Sequence, residues 1–120
     1  MWSRLRYALR GLNGAFRSPE IARHVVVALF VVVISVLACL ESTQWALILF
    51  AIGFVLVSET FNTAIEEVLN VAPGVHHPIV RRAKDLAAAA VLLAALTAAG
   101  IGILVFGPPF FSGTLAHCLS

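Results

Sequence analysis

Three long apolar stretches, separated by short polar segments, dominate the chain. They predict membrane-spanning helices at residues 22–40, 45–71 and 85–106, because crossing the hydrocarbon core of a bilayer takes about 20 apolar residues. Residues 1–17 differ, since their apolar side chains recur on one side of a helix and alternate with arginines. These apolar residues are Trp2, Leu5, Leu9, Leu12 and Phe16. We therefore predict an N-terminal amphipathic helix that lies on the membrane surface.

The second predicted span becomes polar before it is long enough to cross a bilayer. Trp45–Val57 contains no charged residue, and Glu59 follows almost at once. At about 100° per residue of helix, one polar stripe then runs to the end of this helix. The stripe consists of Glu59, Asn62, Thr63, Glu66 and Asn70. Carboxylates at membrane depth are costly and usually functional, so the stripe predicts a binding site. The alternative is a helix end that emerges into water with its acids solvated.

Two motifs carry a resemblance to a known family. The first is Glu-x-x-Asn-Thr-Ala-Ile-Glu at residues 59–66, and the second is Arg-Ala-Lys-Asp at residues 82–85. With both motifs, the chain resembles the prokaryotic diacylglycerol kinase family over nearly its whole length. The resemblance implies a three-span membrane enzyme that phosphorylates a lipid alcohol with ATP, as a homotrimer with shared active sites. Phe61 and Asn70 depart from the family pattern, which generally has an aliphatic residue and an aspartate there.

The resemblance also implies roles for residues outside the stripe. The N-terminal helix is expected to help cover the nucleotide, with Tyr7 and Arg10 near it. His77 matches a loop histidine of the family, and Arg82 belongs to the second motif, so both are assigned to nucleotide binding. The family has a metal-binding glutamate in the turn before the first span. Glu20 takes that place if the hairpin loop that follows is shorter than usual.

The stripe offers the acidic groups that phosphoryl transfer needs. The sequence contains no glycine-rich phosphate loop of the GxxxxGK[ST] or GxGxxG kind. Phosphoryl transfer still requires a positioned nucleophile, a divalent metal and a positively charged group that neutralises the transferred phosphate. We expect Glu59 to accept the proton of the lipid hydroxyl. Glu66, together with Glu20, offers hard oxygen ligands for Mg²⁺ and thereby contacts the nucleotide.

The remaining groups are a cation and two hydrogen-bonding side chains. Lys84 is a point charge suited to the γ-phosphate of ATP. Asn62 and Asp85 are expected to orient reacting groups by hydrogen bonds, and Asp85 also to contact the nucleotide. Taken alone, Lys84-Asp85 favours an interfacial pair that anchors the third span. With the resemblance, the pair is assigned to catalysis.

Composition alone, without the motifs, indicates the class of protein. Hydrophobic residues make up 61% of the chain and charged residues 12%, which is about half the charge of a soluble domain. The chain is thus predicted to be a single all-α membrane domain, residues 1–120. The net charge of +2 is too small to suggest a nucleic-acid partner. Cys39 and Cys118 show no metal-binding spacing, and His76 and His77 are interpreted as solvated or capping residues.

The distribution of basic residues predicts the topology. All 8 of them lie before or at the very start of the first span, or between the second and third spans. They are Arg4, Arg6, Arg10, Arg17, Arg23, Arg81, Arg82 and Lys84. The positive-inside rule then places the N-terminus and the polar stripe on the cytoplasmic side of the bacterial inner membrane, and the C-terminus on the periplasmic side. ATP is on the cytoplasmic side.

Three other functions remain open. The first is an undecaprenol kinase of the same family, since nothing in the spans distinguishes two apolar lipids. The second is a small non-enzymatic subunit of a membrane complex, whose acids merely pair with basic residues. The third is a proton- or ion-conducting oligomer that uses Glu59. The last two rank below the lipid kinase, with diacylglycerol as the favoured substrate.

Overall fold

A computed structural model describes residues 1–71 and 77–113 of the chain. Within them the chain forms four helices: α1 (Trp2–Phe16), α2 (Pro19–Leu37), α3 (Ser42–Val71) and α4 (Pro78–Ser112). The last three are long and apolar enough to cross a membrane. The sequence prediction of an all-helical chain with three candidate spans is therefore confirmed. Residues 72–76 and 114–120, with His76 and Cys118, lie outside the described part.

Side-chain caps fix where two of the helices begin. The Ser18 hydroxyl accepts a hydrogen bond from the Ile21 amide at 3.3 Å, and Pro19 occupies the first turn of α2. This is the cap that the Ser-Pro pair predicts. Nδ1 of His77 accepts from the Ile79 amide at 3.2 Å, with Pro78 next to it. His77 is thus a capping residue, one of the two roles, solvated or capping, that the sequence indicates for it.

The third span differs most from the prediction. Its helix begins at Pro78 rather than near residue 85, and it continues to Ser112, beyond the predicted end at residue 106. The end predicted at residue 106, just before Gly107-Pro108-Pro109, is wrong, because both prolines lie inside α4. Each proline removes one backbone hydrogen bond, a loss that apolar helices tolerate when other groups satisfy the freed carbonyls.

The helices pack around α3. Contacts are most extensive between α3 and α4, α2 also packs on α3, and α1 contacts α2. Ala87 and Ala94 of α4 are buried, Ala94 completely, since small residues allow helices to approach closely. A hydrophobic cluster of Leu40, Ile48 and Val105 joins the helix ends remote from the polar stripe.

Most large apolar side chains of the spanning helices face outwards. Phe30, Leu92 and Leu104, for example, are more than half exposed. Exposed apolar surface of this extent indicates contact with lipid or with other protein chains. Helix α3 has 30 residues and is about 45 Å long at about 1.5 Å per residue. It is therefore long enough to cross the bilayer core and to carry its polar end beyond it.

Candidate functional site

The polar end of α3 is flanked by the first turns of α2 and α4. Glu59 is the charged residue buried most deeply in the described part of the chain, with 7% of its surface exposed. The hydroxyl of Thr60, the next residue, donates a hydrogen bond to the Leu56 backbone carbonyl at 2.8 Å. The buried carboxylate is therefore the feature from which the site is built, as the sequence predicts for the stripe.

Within the described residues, the ionisable side chain beside Glu59 is His24 of α2. Nε2 of His24 lies 3.4 Å from Oε1 of Glu59. On the other side of the ring, Nδ1 of His24 lies 2.9 Å from the backbone carbonyl oxygen of Glu20, one turn earlier in α2. The imidazole therefore connects the first turn of α2 to the carboxylate on α3.

Asn62 and Glu66 form a second pair, one to two turns further along α3. Nδ2 of Asn62 donates a hydrogen bond to Oε1 of Glu66 at 3.3 Å. Oδ1, the side-chain amide oxygen of Asn62, is buried and has no hydrogen-bond partner within the described residues. Because an unpartnered buried acceptor is costly, this oxygen is suited to receive a donor or a cation from a bound group.

Lys84 forms a third pair, with Asn70 in the last turn of α3. Nζ of Lys84 donates to Oδ1 of Asn70 at 2.7 Å, which links α4 to α3. An amide oxygen orients the ammonium group without neutralising it, whereas an aspartate at the same place would form an ion pair. The departure at Asn70 thus leaves the positive charge of Lys84 available to an anion.

Other predicted site residues lie outside these three pairs. Tyr7 and Arg10 are exposed on α1. Glu20 is exposed and lies 3.9 Å from Arg23, a weak surface pair. Arg82 and Asp85 are exposed in the first turns of α4, and neither forms an ion pair with another described residue. The single chain therefore places Glu59, Asn62 and Glu66 along one end of α3 and joins Lys84 to Asn70 in the last turn of that helix. It leaves the other predicted residues open to solvent or to further molecules.

Whether the predicted Mg²⁺ fits this site depends on the side-chain donors that the site provides. Among the residues that the structure describes, His, Cys, Asp and Glu form no group of three or more placed to hold a metal ion. Glu66 and the neighbouring unpartnered oxygen of Asn62 are nevertheless both hard oxygen donors. Mg²⁺ typically takes one or two protein carboxylates and completes its shell with water and nucleotide phosphate. The donors present fit Mg²⁺ bound together with ATP.

An apolar groove of about 900 Å³ runs along α2, α3 and α4. It extends from His24 past Val31, Ala51 and Ala98 to Phe110, and its walls are otherwise aliphatic and aromatic. His24 is the one polar side chain among the residues that line it. His24 also lies 3.4 Å from Glu59, so one end of the groove is next to a residue that contacts the buried carboxylate.

His24 is a residue of this site that the sequence pattern did not predict. The signal for it was present, because His24 follows Glu20 by one helical turn and begins the apolar run of the first span. An ionisable side chain at that depth requires a partner. What the pattern within α2 did not reveal is that the partner is Glu59, which lies on another helix.

Comparison with known proteins agrees with the motifs. A model of the family described as "Prokaryotic diacylglycerol kinase" matches residues 6–106. The chain is 36% identical over 85 residues to an undecaprenol kinase of Bacillus subtilis, covering 71% of this chain and 69% of that protein. It is 35% identical over 109 residues to a diacylglycerol kinase of Synechocystis, covering 89% of this chain and 62% of that protein. A diacylglycerol kinase of Helicobacter pylori is 29% identical over 94 residues, covering 78% of this chain and 73% of that protein.

Proposed function

This chain belongs to the prokaryotic diacylglycerol kinase family of membrane lipid kinases, and we propose that it phosphorylates diacylglycerol to phosphatidic acid with ATP. The observation that carries the proposal is the buried carboxylate of Glu59, 3.4 Å from His24, which lines one end of an apolar groove. A lipid chain in the groove brings a hydroxyl group to that end. The carboxylate suits a hydroxyl group and the apolar walls suit hydrocarbon, so the site fits a lipid that ends in an alcohol.

In the proposed reaction Glu59 acts as the general base. The lipid hydroxyl oxygen attacks the γ-phosphorus of ATP, a new P–O bond forms, and the bond to the bridging oxygen of ADP breaks. The hydroxyl proton passes to the Glu59 carboxylate. A positioned base of this kind typically contributes about 10²–10⁴-fold to a rate.

The phosphate end of the site requires positive charge, because phosphoryl transfer depends mainly on positioning and on neutralising the phosphate oxygens. Lys84, held by Asn70 at 2.7 Å, contacts the γ-phosphate in this proposal. Glu66 and Glu20 would hold Mg²⁺, which neutralises phosphate oxygens when it is bound. Asn62 orients Glu66 through the hydrogen bond between them.

The exposed predicted residues belong to the nucleotide side of the proposed site. Tyr7 and Arg10 of α1, with His77, Arg82 and Asp85 near the start of α4, contact the nucleotide. Helix α1 lies along the cytoplasmic surface and helps to cover ATP. We propose that the site is completed in a homotrimer, because the single chain leaves these groups exposed and its spanning helices uncovered.

The non-enzymatic alternatives explain the site less well. Glu20 and Glu59 do lie beside basic side chains, as a structural subunit requires of its acids. Glu66, however, pairs with an amide, and the Lys84 contact is also to an amide. A proton conductor requires polar groups to continue from Glu59 across the membrane. The groove beyond His24 has apolar walls instead.

Phosphoryl transfer to two lipids, measured side by side, tests the proposed substrate. Purified protein receives radiolabelled ATP with either diacylglycerol or undecaprenol in the same detergent micelles. We expect faster formation of labelled phosphatidic acid than of undecaprenyl phosphate. Faster labelling of undecaprenol would replace the substrate and keep the kinase. Labelling of neither lipid would contradict the proposed reaction itself.

A further inference from the structure

We propose that His24 is a positioning residue, which holds the Glu59 carboxylate in the orientation needed to accept the proton of the lipid hydroxyl. The inference rests on the proposed role of Glu59 as the base. It adds His24, which lies in the first span, to the residues that act at the lipid hydroxyl.

The imidazole is held at both nitrogens. The Glu20 carbonyl oxygen, 2.9 Å from Nδ1, can only accept a hydrogen bond, so Nδ1–H is the donor in this contact. That bond fixes the plane of the ring relative to the first turn of α2. Nε2 then lies 3.4 Å from Oε1 of Glu59. The ionised carboxylate of a base can likewise only accept, so in the proposed state both ring nitrogens carry a proton and Nε2–H is the donor to Glu59. His24 is thus oriented by its own helix before it meets the carboxylate.

Glu59 depends on this contact for its orientation. Its carboxylate is buried, and within the described residues His24 is the one side chain that an ion pair or side-chain hydrogen bond joins to it. The glutamate side chain has three rotatable bonds, and without a partner it samples several rotamers. Catalytic groups are effective when neighbouring contacts lock their rotamers.

The groove places the substrate beside the same pair. His24 is the polar side chain among the groove-lining residues, so the hydroxyl of a lipid in the groove reaches His24 and Glu59 together. A histidine on an apolar helix face would usually be costly. Here its two hydrogen-bonding atoms face the Glu20 carbonyl and the Glu59 carboxylate, which explains why the position can be polar.

Two substitutions separate the contacts of His24. In His24→Asn the amide nitrogen lies where Nδ1 lay, so the contact with the Glu20 carbonyl is kept and the contact with Glu59 is lost. In His24→Gln the amide nitrogen lies where Nε2 lay, so a donor to Glu59 is kept. We expect His24→Asn to lower kcat by about 10–100-fold, because a small misplacement of a catalytic group costs up to about 10²-fold. The KM for ATP should not change, and His24→Gln should recover most of the kcat.

Thermal unfolding of both variants, followed by circular dichroism, identifies a merely structural role. Equal unfolding temperatures with unequal kcat values support positioning. Equal kcat values in the two variants, whether near normal or lowered together with the unfolding temperature, would overturn the inference. So would a loss that appears in the KM for ATP alone.

A double substitution separates this inference from the proposed function on which it rests. If His24 acts through Glu59, His24→Asn should cause little further loss in a Glu59→Gln background. An equal loss in both backgrounds would mean that His24 acts independently of Glu59, which contradicts the inference alone. Normal turnover in Glu59→Gln itself would instead refute the base assignment.

Discussion

Glu59→Gln is expected to lower the turnover of lipid phosphorylation by about 10²–10⁴-fold, the usual contribution of a general base. Glutamine keeps the size and shape of the side chain, and the amide can still form a hydrogen bond with His24, which lies 3.4 Å away in the native protein. The substitution removes the group that takes the proton from the lipid hydroxyl. Folding and membrane insertion should therefore be normal, and the loss should appear in kcat measured with radiolabelled ATP.

Glu67→Gln is the matched control for this prediction. Glu67 is on the same helix and is exposed, and it has no assigned role in the site. Its replacement removes the same charge from α3 and should leave turnover close to normal. Near-normal turnover in Glu59→Gln as well would remove Glu59 from the reaction.

Glu66→Gln is expected to weaken the apparent affinity for Mg²⁺ by about tenfold or more. Loss of an outer partner of a metal ligand typically costs about 10–100-fold, and removing a direct carboxylate ligand should cost at least as much. Because the substitution weakens the binding of Mg²⁺, a higher Mg²⁺ concentration should partly restore the rate by mass action. The measurement is the initial rate as a function of Mg²⁺ concentration at saturating ATP.

The same control applies to the metal prediction. Glu67→Gln should leave the Mg²⁺ dependence as in the native protein, since its carboxylate is outside the polar stripe. If Glu66 were only a hydrogen-bond partner of Asn62 and not a metal ligand, its replacement would alter the rate without shifting the Mg²⁺ dependence. An unshifted dependence in Glu66→Gln would therefore exclude Glu66 as a metal ligand.

Helix existence and the polar stripe could be predicted from the sequence, because both follow from local periodicity. The Ser18-Pro19 helix start is also a local signal, and the structure has it. The stripe was identified because Glu59 ends an apolar run too short to cross a bilayer. Glu59 itself is buried at 7% exposure, whereas Glu66 and Asn70 of the same stripe are exposed, so the alternative of a solvated helix end fits only the far part of the stripe.

The parts that depend on contacts between helices could not be predicted. The pairs His24–Glu59 and Lys84–Asn70 depend on how α2 and α4 pack against α3, which no local pattern encodes. The end of α4 was misjudged for a different reason. Tandem prolines usually end a helix in water, whereas α4 continues through Pro108 and Pro109 in an apolar segment.

The central claim, a phosphoryl-transfer site at the cytoplasmic end of α3, is tested most directly by the sidedness of the helix ends. Thr43 lies in the first turn of α3 and Ile79 in the first turn of α4, and both are exposed. Thr43→Cys and Ile79→Cys are made separately, with Cys39 and Cys118 replaced by serine. Opened membranes, in which both cysteines should react, are the control.

A thiol reagent that cannot cross membranes is then applied to intact cells. The distribution of basic residues predicts that Thr43→Cys is labelled and that Ile79→Cys is spared. The opposite labelling would place Glu59, Glu66 and Lys84 on the side without ATP. That result would contradict the proposed site.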